Sequence, residues 1–262
     1  MSYSEADDLD VHKNEYERMI STIRGVDGPE HFRRALDVGG GGATHSAFMT
    51  LIADRVYCLD FIDQNIRYNG EFIKLLREKF LRHSVSVNLD RLEFHAGDAM
   101  NLIYKDSSFD LVASFNAFEH IPDPERAAIE VARVLEPGGL AFITFDPIWT
   151  CDTGSHFHHF VSSPWEHLLV PTEAYVDQMA SAGANDDEVN DFKYAMNKVR
   201  LSTFRRVFQG NLPGAEIVSY REWSGTSDES HHRHPNFQRA VNAGYSEEEL
   251  LTRGIEVVLR RI

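Results

Sequence analysis

The sequence predicts an α/β fold in which helices cover both faces of a mostly parallel sheet of seven strands. Short, almost continuously apolar runs alternate with segments of helical periodicity between positions 35 and 145, a pattern typical of buried parallel strands joined by helical crossovers. Five of these runs lead into an acidic or amide residue: Asp37, Asp60, Asp98, Asn116 and Asp146. Because parallel strands present their carboxyl ends at one edge of a sheet, these residues are expected to surround one ligand site.

The periodicity assigns each element in turn. Strands are predicted at 35–38, 55–60, 91–95, 109–115, 140–145, 215–220 and 255–262. Helices are predicted at 11–23, 30–34, 44–53, 63–80, 124–135, 172–180, 191–208 and 246–251. The acidic leader at 1–10 has little to bury and is expected to be frayed.

We predict a single domain in four parts. These are an N-terminal helical cap at 1–34, a ligand-binding core at 35–147, a lid insertion at 148–190 and a C-terminal part at 191–262 with a helix and the last strands. The stretch 148–170 is rich in histidine and aromatic residues and has no clean periodicity. It is therefore a poor core strand and a good lid after the fifth strand.

Composition limits the partners. The 262 residues carry 41 Asp and Glu against 26 Lys and Arg, a net charge of −15, which repels nucleic-acid phosphates and anionic lipid. The two cysteines, Cys58 and Cys151, form no disulfide framework, and no apolar run approaches the ~18 residues of a membrane helix. We expect a cytoplasmic protein that binds neither nucleic acid nor membrane.

Four glycines follow Asp37 at 39–42 and bring bare backbone N–H groups to a ligand. The dinucleotide fingerprint would place its third glycine at Thr44, and no G-K-[ST] follows, so neither a pyrophosphate nor a P-loop is indicated. Asp60, at the end of the next strand, suits a ribose diol, and Asp37 suits an ammonium group. S-adenosylmethionine carries both groups and no phosphate.

The ordered motifs resemble those of class I S-adenosylmethionine-dependent methyltransferases that act on small molecules. The series comprises D-x-G-x-G at 37–41, the acid after strand two, G-D-A at 97–99, F-D-x-V at 109–112, E-H at 119–120 and R-V-L-x-P-G-G at 133–139. It covers about 35–145. The resemblance implies a Rossmann-like, doubly wound fold and S-adenosylmethionine as the cofactor. Ala43 departs from the pattern, since the family often has a third glycine there.

The resemblance also implies the cofactor residues. They are Asp37, Gly39, Gly41, Asp60, Phe61, Ile62, Asp98, Ala99 and Asn116. Asp60 would accept from the ribose hydroxyls and Asp98 from the adenine amino group, with Phe61 or Ile62 on the adenine face. The two glycines would face the methionine portion, and Asn116 would lie near the sulfonium.

Candidates for the chemistry are histidines, because a general base is needed if the acceptor carries a proton. His120 follows the fourth strand and is either such a base or an anchor of its loop. His156 and His159 are candidates in the lid. Clustered histidines with Glu166 also offer metal ligands, but H-x-H-H lacks a standard spacing, and no metal is predicted.

The acceptor is expected to contact the lid and one later loop. Phe157, Trp165 and His167 would bind an apolar or planar acceptor. Arg233, between the last two strands, would favour an acidic acceptor, and the alternative for its loop is a solvated polar surface.

These observations predict methyl transfer from S-adenosylmethionine to oxygen or nitrogen of a small molecule. Two alternatives remain open, a NAD(P)-dependent oxidoreductase and a non-catalytic S-adenosylmethionine-binding module. The sequence leaves open whether the chain forms a homodimer.

Overall fold

The computed structural model describes residues 4–262 and contains one seven-stranded sheet. The strands are β1 (Phe32–Val38), β2 (Ala53–Asp60), β3 (Leu92–Ala96), β4 (Phe109–Phe115), β5 (Leu135–Phe145), β6 (Ala215–Ser224) and β7 (Thr252–Arg261). Their spatial order is β3-β2-β1-β4-β5-β7-β6. Strands β1 to β5 pair in parallel, whereas β7 is antiparallel to both of its neighbours. The predicted fold class is confirmed, and the strand order reverses at β1 and β4, where sheets of this kind bind ligands.

Helices cover both faces of the sheet. They are α1 (Glu5–Gly25), α2 (Thr44–Met49), α3 (Gln64–Arg67), α4 (Phe72–Arg82), α5 (Pro124–Val134), α6 (Glu166–Leu169), α7 (Thr172–Ser181), α8 (Asp186–Asn190), α9 (Leu201–Gln209), α10 (Pro235–Asn242) and α11 (Glu247–Leu251). Short turns of 3₁₀ or π type lie at Leu89–Arg91, Asp191–Ala195 and Glu229–Arg233. Within residues 4–262, no helix is both long enough and apolar enough to cross a bilayer.

The core has two layers because successive residues of a strand point to opposite faces. Leu36 joins the layer that packs β-sheet residues against α5 and α9. Ala35, its neighbour in β1, joins the layer that packs against α1, α2 and α4. The sheet therefore lies buried between helices, as its continuous apolar strands indicated.

The N-terminal segment is more ordered than predicted. Residues 1–3 lie outside the described residues, but α1 begins at Glu5, where the frayed leader was expected. Ser4 and Asp7 form a capping box, and acidic residues in a first turn favour a helix. Leu9 and Met19 bury one face of α1 against the sheet. The predicted helix at 30–34 is wrong, because these residues enter β1.

The predicted helix at 191–208 is interrupted before α9. The side-chain amide of Asn197 donates to the carbonyls of Phe118 and Ile121 at 2.7 and 2.9 Å. Its carbonyl accepts from the backbone N–H of Val199 at 3.0 Å. The Asn197 side chain thus pairs with backbone groups, and these bonds compete with the backbone hydrogen bonds of a continuous helix. Apolar spacing alone did not show this break, and it did not predict α10.

The insertion, residues 148–200, follows β5 and has a small apolar core of its own. Trp149, Tyr175, Met179 and Phe192 are buried there, and the Tyr175 and Phe192 rings stack with centroids 4.5 Å apart. This local core holds the insertion in place beside the carboxyl ends of the strands. Its role as a lid stays a prediction.

We predict that Met19→Ala lowers the free energy of unfolding by about 2 to 5 kcal/mol, because it leaves a cavity between α1 and the sheet. Met19 is fully buried. The control is Lys13→Ala on the exposed side of the same helix, expected to change stability by less than about 0.5 kcal/mol. Urea denaturation measures both. Equally small losses of unfolding free energy in the two variants would show that α1 does not pack against the sheet.

Candidate cofactor and acceptor site

The glycine turn at 39–42 leaves β1 at the point where the strand order reverses. Gly39 and Gly41 have φ values of +74° and +50°, in the left-handed region that side chains disfavour. A Cβ on Gly39 would lie 2.4 Å from Cβ of Ala117, whereas one on Gly41 would meet nothing within 4 Å. Glycine at 39 therefore lets the loop after β4 approach the turn. Ala43 also adopts a left-handed conformation, φ +56°, which explains why glycine is favoured there.

Asp37 lies beneath this turn with no exposed surface. Its Oδ2 accepts from the Ser46 hydroxyl at 2.5 Å, while its Oδ1 has no hydrogen-bond partner among residues 4–262. Burial raises the pKa of Asp37 to about 7, and the nearby charge of Asp60 adds to the rise. A buried carboxylate of this kind suits a cationic ligand group, which would restore its ionised form.

Asp60 fixes the other side of the turn. Its Oδ2 accepts from the Gly41 N–H and its Oδ1 from the Ile62 N–H, both at 2.9 Å. These two bonds hold the carboxylate plane, and each oxygen retains a lone pair for a ligand hydroxyl. Phe61 and Ile62 beside it are 83% and 47% exposed. Exposed apolar side chains next to a fixed polar group are typical of a ligand site.

Asp98 lies beside Asp60 at the same edge of the sheet. The Gly97 N–H donates to the Asp60 carbonyl at 2.9 Å, which brings the loops after β2 and β3 together. Asp98 Oδ1 accepts from the Met100 N–H at 2.8 Å, and Ala99 packs against the core below. The structure thus brings the predicted adenine and ribose residues together.

Asn116 directly follows β4 with φ +49° and connects the sheet to α1. Its side-chain amide donates to Glu15 Oε1 at 2.9 Å, and Glu15 Oε2 accepts from His45 at 2.8 Å. The His45 ring stacks on Phe115 with centroids 3.9 Å apart. Sequence reasoning missed Glu15 and His45, because no motif marks them and only the docking of α1 brings them to the site.

Glu119, His120 and His156 form a cluster next to this edge. One carboxylate oxygen and one ring nitrogen from each histidine lie within 4.8 Å of one another, and the two rings are 5.1 Å apart. His120 Nδ1 donates to the Ala195 carbonyl at 3.1 Å, and His156 Nε2 donates to the Pro147 carbonyl at 3.0 Å. Because carbonyls only accept, each neutral ring has its second nitrogen unprotonated.

The pKa values of this cluster follow from burial. Desolvation lowers the pKa of His120 and lowers that of His156 to about 4. Burial also raises the pKa of Glu119 well above its usual range. Two predicted catalytic histidines therefore lie together and neutral near pH 7. The third, His159, is exposed and packs on the Phe160 ring, and its catalytic role stays a prediction.

The predicted acceptor residues do not converge. Trp165 is completely buried and its indole N–H donates to the Leu250 carbonyl at 3.3 Å. His167 is 7% exposed and donates to the Trp149 carbonyl at 2.8 Å. The polar groups of these two residues are thus already bonded within the protein, and their predicted role in substrate binding stays a prediction. Phe157 packs on the edge of the insertion core.

Arg233 lies exposed on a 3₁₀ turn at the surface. A different residue of that loop, His231, is bonded inward to Asp152 at 2.7 Å. Asp152 is buried and also accepts from Ser227 and from Arg253 at 2.9 Å. This saturated network ties the insertion to the loop before α10. A role of Arg233 toward an acidic acceptor stays a prediction.

Residues 36–143 match the family model for a methyltransferase domain. The strand order, the glycine turn and this match agree. Residues 36–143 therefore form a methyltransferase domain of the class I S-adenosylmethionine-dependent type. The family's cofactor, S-adenosylmethionine, fits the unpartnered Asp37 carboxylate and the fixed Asp60 carboxylate.

Several methyltransferases are similar in sequence over parts of the chain. An uncharacterized methyltransferase of Mycobacterium sp. strain JLS is 37% identical over 84 residues, 28% of this chain and 33% of that protein. The norajmaline N-methyltransferase of Rauvolfia serpentina is 45% identical over 49 residues, 19% of this chain and 17% of that enzyme. The matched segment thus spans about a third of the mycobacterial relative.

Solved structures show the same fold at low identity. A candidate sarcosine dimethylglycine methyltransferase from Galdieria sulphuraria superposes with a TM-score of 0.56 at 16% identity, covering 94% of this chain and 85% of that chain. A SAM-dependent methyltransferase from Methanosarcina mazei gives 0.52 at 18% identity, covering 89% and 94%. These methyltransferases share the whole architecture with this chain.

Gly39→Ala is predicted to lower the free energy of unfolding by about 1 to 3 kcal/mol more than Gly41→Ala. Both variants place a Cβ at positive φ, so this strain is common to the pair. Only Gly39→Ala adds overlap with Ala117. Chemical denaturation of the two variants provides the comparison, and equal losses would contradict a close approach at Gly39.

The buried His167 predicts a loss of stability in acid. Burial lowers its pKa from 6.5 to about 4, so the unfolded chain binds a proton in this window and the folded chain does not. The stability that neutral, buried His167 contributes is complete above pH 6.5 and is lost as pH falls toward 4. Between pH 7 and 4.5, the wild type should lose about 2 kcal/mol more than His167→Gln, which keeps a donor for Trp149. The surface variant His232→Gln is the control, and parallel pH curves for wild type and His167→Gln would contradict this expectation.

Proposed function

We propose that this protein transfers the methyl group of S-adenosylmethionine to an oxygen or nitrogen of a small molecule. The observation that carries the proposal is the carboxylate pair on either side of the glycine turn. Asp37 has a free buried oxygen and Asp60 is held in place with open lone pairs. These groups match an ammonium and a ribose diol.

The residues have separate roles in binding. Asp37 would accept the ammonium through Oδ1, and Asp60 would accept both ribose hydroxyls. Asp98 would accept from the adenine amino group. The exposed faces of Phe61 and Ile62 would cover the adenine and lose that exposure. Asn116 would lie next to the methyl group of the cofactor. Its hydrogen bond to Glu15 would bring α1 over that end of the cofactor.

The transfer requires positioning more than acid–base chemistry. S-adenosylmethionine supplies an electrophilic methyl group on a sulfonium. The acceptor's lone pair forms the new bond to carbon while the carbon–sulfur bond breaks and sulfur keeps the electron pair. A protonated acceptor must also lose its proton, and the unprotonated nitrogen of His120 lies at the same edge of the sheet. With a pKa near 4, His156 is a weak base, so its predicted role as a base is less favoured than that of His120.

Two observations support a small molecule as the acceptor. The norajmaline N-methyltransferase acts, by its name, on nitrogen of a small molecule, and it is similar to this chain over 49 residues. The net charge of −15 disfavours RNA or DNA as the acceptor. Both cysteines are buried and free, which suits the proposed cytoplasmic location. A homodimer stays a prediction.

The methyltransferase-domain match at 36–143 disfavours the oxidoreductase alternative. The remaining alternative is a module that binds S-adenosylmethionine without turnover. Formation of S-adenosylhomocysteine with a panel of small alcohols, phenols and amines distinguishes the two. Tight cofactor binding with no product from any acceptor would favour the module.

Asp60→Ala should weaken S-adenosylmethionine binding by about 100-fold or more, since two hydrogen bonds to a charged group are lost. Isothermal titration calorimetry measures the affinity. Asp54→Ala is the matched control, because Asp54 is an exposed acid at the opposite end of the same strand β2. NADH fluorescence should not change on titration with the protein. Wild-type protein that binds neither S-adenosylmethionine nor its demethylated product would refute the proposal.

A further inference from the structure

We propose that Glu119, His120 and His156 form a binding site for one divalent first-row transition metal ion, with Zn²⁺ as the representative ion. Two of these residues follow β4 and the third lies in the insertion, 36 positions later. Their donor atoms lie within 4.8 Å of one another. No spacing motif connects them, which is why the sequence predicted no metal.

Glu119 provides the reason to expect a cation. Its side chain is 1% exposed, and neither carboxylate oxygen has a hydrogen-bond partner among residues 4–262. The nearby ionisable groups that act on it, Asp146 and Glu15, are also acidic. Buried carboxylates are normally paired or bound to metal, because leaving one unpartnered costs several kcal/mol. A bound cation would provide the missing partner.

Both histidines donate through one ring nitrogen to a backbone carbonyl, as metal-bound histidines usually do. His120 donates through Nδ1 to the Ala195 carbonyl, and His156 donates through Nε2 to the Pro147 carbonyl. Each bond fixes the tautomer and the plane of a ring and leaves the opposite nitrogen free. Carbonyls that accept from the outer nitrogen of a metal-bound histidine serve this purpose in metalloproteins.

The donor set selects the class of ion. Two imidazole nitrogens and one carboxylate oxygen suit Zn²⁺ and its first-row neighbours, whereas Mg²⁺ prefers oxygen ligands. A metal with bonds of about 2.1 Å holds its donors no more than about 4.2 Å apart. The donor atoms of the cluster lie within 4.8 Å of one another, close to this limit. Three protein ligands leave at least one position open.

The position of the site links it to the acceptor. Glu119 lies two residues after Ala117, whose Cβ faces Gly39 of the glycine turn. An ion in the cluster would therefore lie next to the expected methyl end of the cofactor. If the proposed function holds, its open position would bind an acceptor oxygen or nitrogen and favour loss of the acceptor's proton. With the ion bound, the free nitrogen of His120 would be a metal ligand, and the ion would replace His120 as the group that promotes loss of the proton. This step rests on the proposed function, whereas metal binding itself does not.

Metal uptake tests the site directly. Full-length protein without a polyhistidine tag is stripped with a chelator, dialysed against Zn²⁺ and analysed by mass spectrometry for metal content. We expect about one ion per chain, and Co²⁺ in its place should give the visible absorption of a low-symmetry site. Glu119→Gln and His156→Gln should each weaken Zn²⁺ binding by about 100-fold or more.

His158→Gln is the matched control, since His158 is exposed two positions from His156. It should keep wild-type Zn²⁺ affinity. Circular dichroism and S-adenosylmethionine titration show whether each variant is folded. Wild-type protein without bound Zn²⁺, or folded Glu119→Gln with unchanged affinity, would overturn the metal site. Zn²⁺ binding without product formation would instead leave the metal site standing and count against methyl transfer.

Discussion

The contact between Gly39 and Ala117 is the constraint on which the site depends. A side chain at position 39 would meet the Ala117 Cβ at 2.4 Å, so the turn after β1 and the loop after β4 can touch only because one of them lacks a Cβ. This contact lies where the strand order reverses, and it places Asn116 and Glu119 beside the glycine turn. The predicted cofactor residues and the Glu119 cluster consequently share one edge of the sheet.

Within residues 4–262, the buried acids at this edge of the sheet have fewer hydrogen-bond partners than the buried Asp152. Asp37 and Glu119 each retain carboxylate oxygens without a partner. Asp152 is equally buried, but its oxygens accept from Ser227, His231 and Arg253. Folding stability alone favours the saturated arrangement, because unpartnered buried charge is costly. Two buried carboxylates with unpartnered oxygens therefore lie near the glycine turn, and ligand groups are expected to bind to these oxygens.

Helix α1 connects stability to the site. One of its faces packs on the sheet through Met19, and Arg18 fixes it further by donating to Glu256 at 2.5 Å and to Thr144 at 2.8 Å. From this position Glu15 reaches Asn116 and His45. The helix is thus a part of the core that also reaches Asn116 at the edge of the sheet, and displacing it would disturb both.

The sequence by itself determined the strands, the glycine turn and the acids at the strand ends, because these depend on local conformation and on apolar runs only a few residues long. The tertiary structure decided which polar and aromatic side chains face a ligand. Trp165 and His167 were expected at the acceptor and are instead enclosed by packing, while Glu15 reaches the site from a helix with no motif. His156 meets His120 because of the path of the insertion, and periodicity carries no information about contacts between residues far apart in the chain.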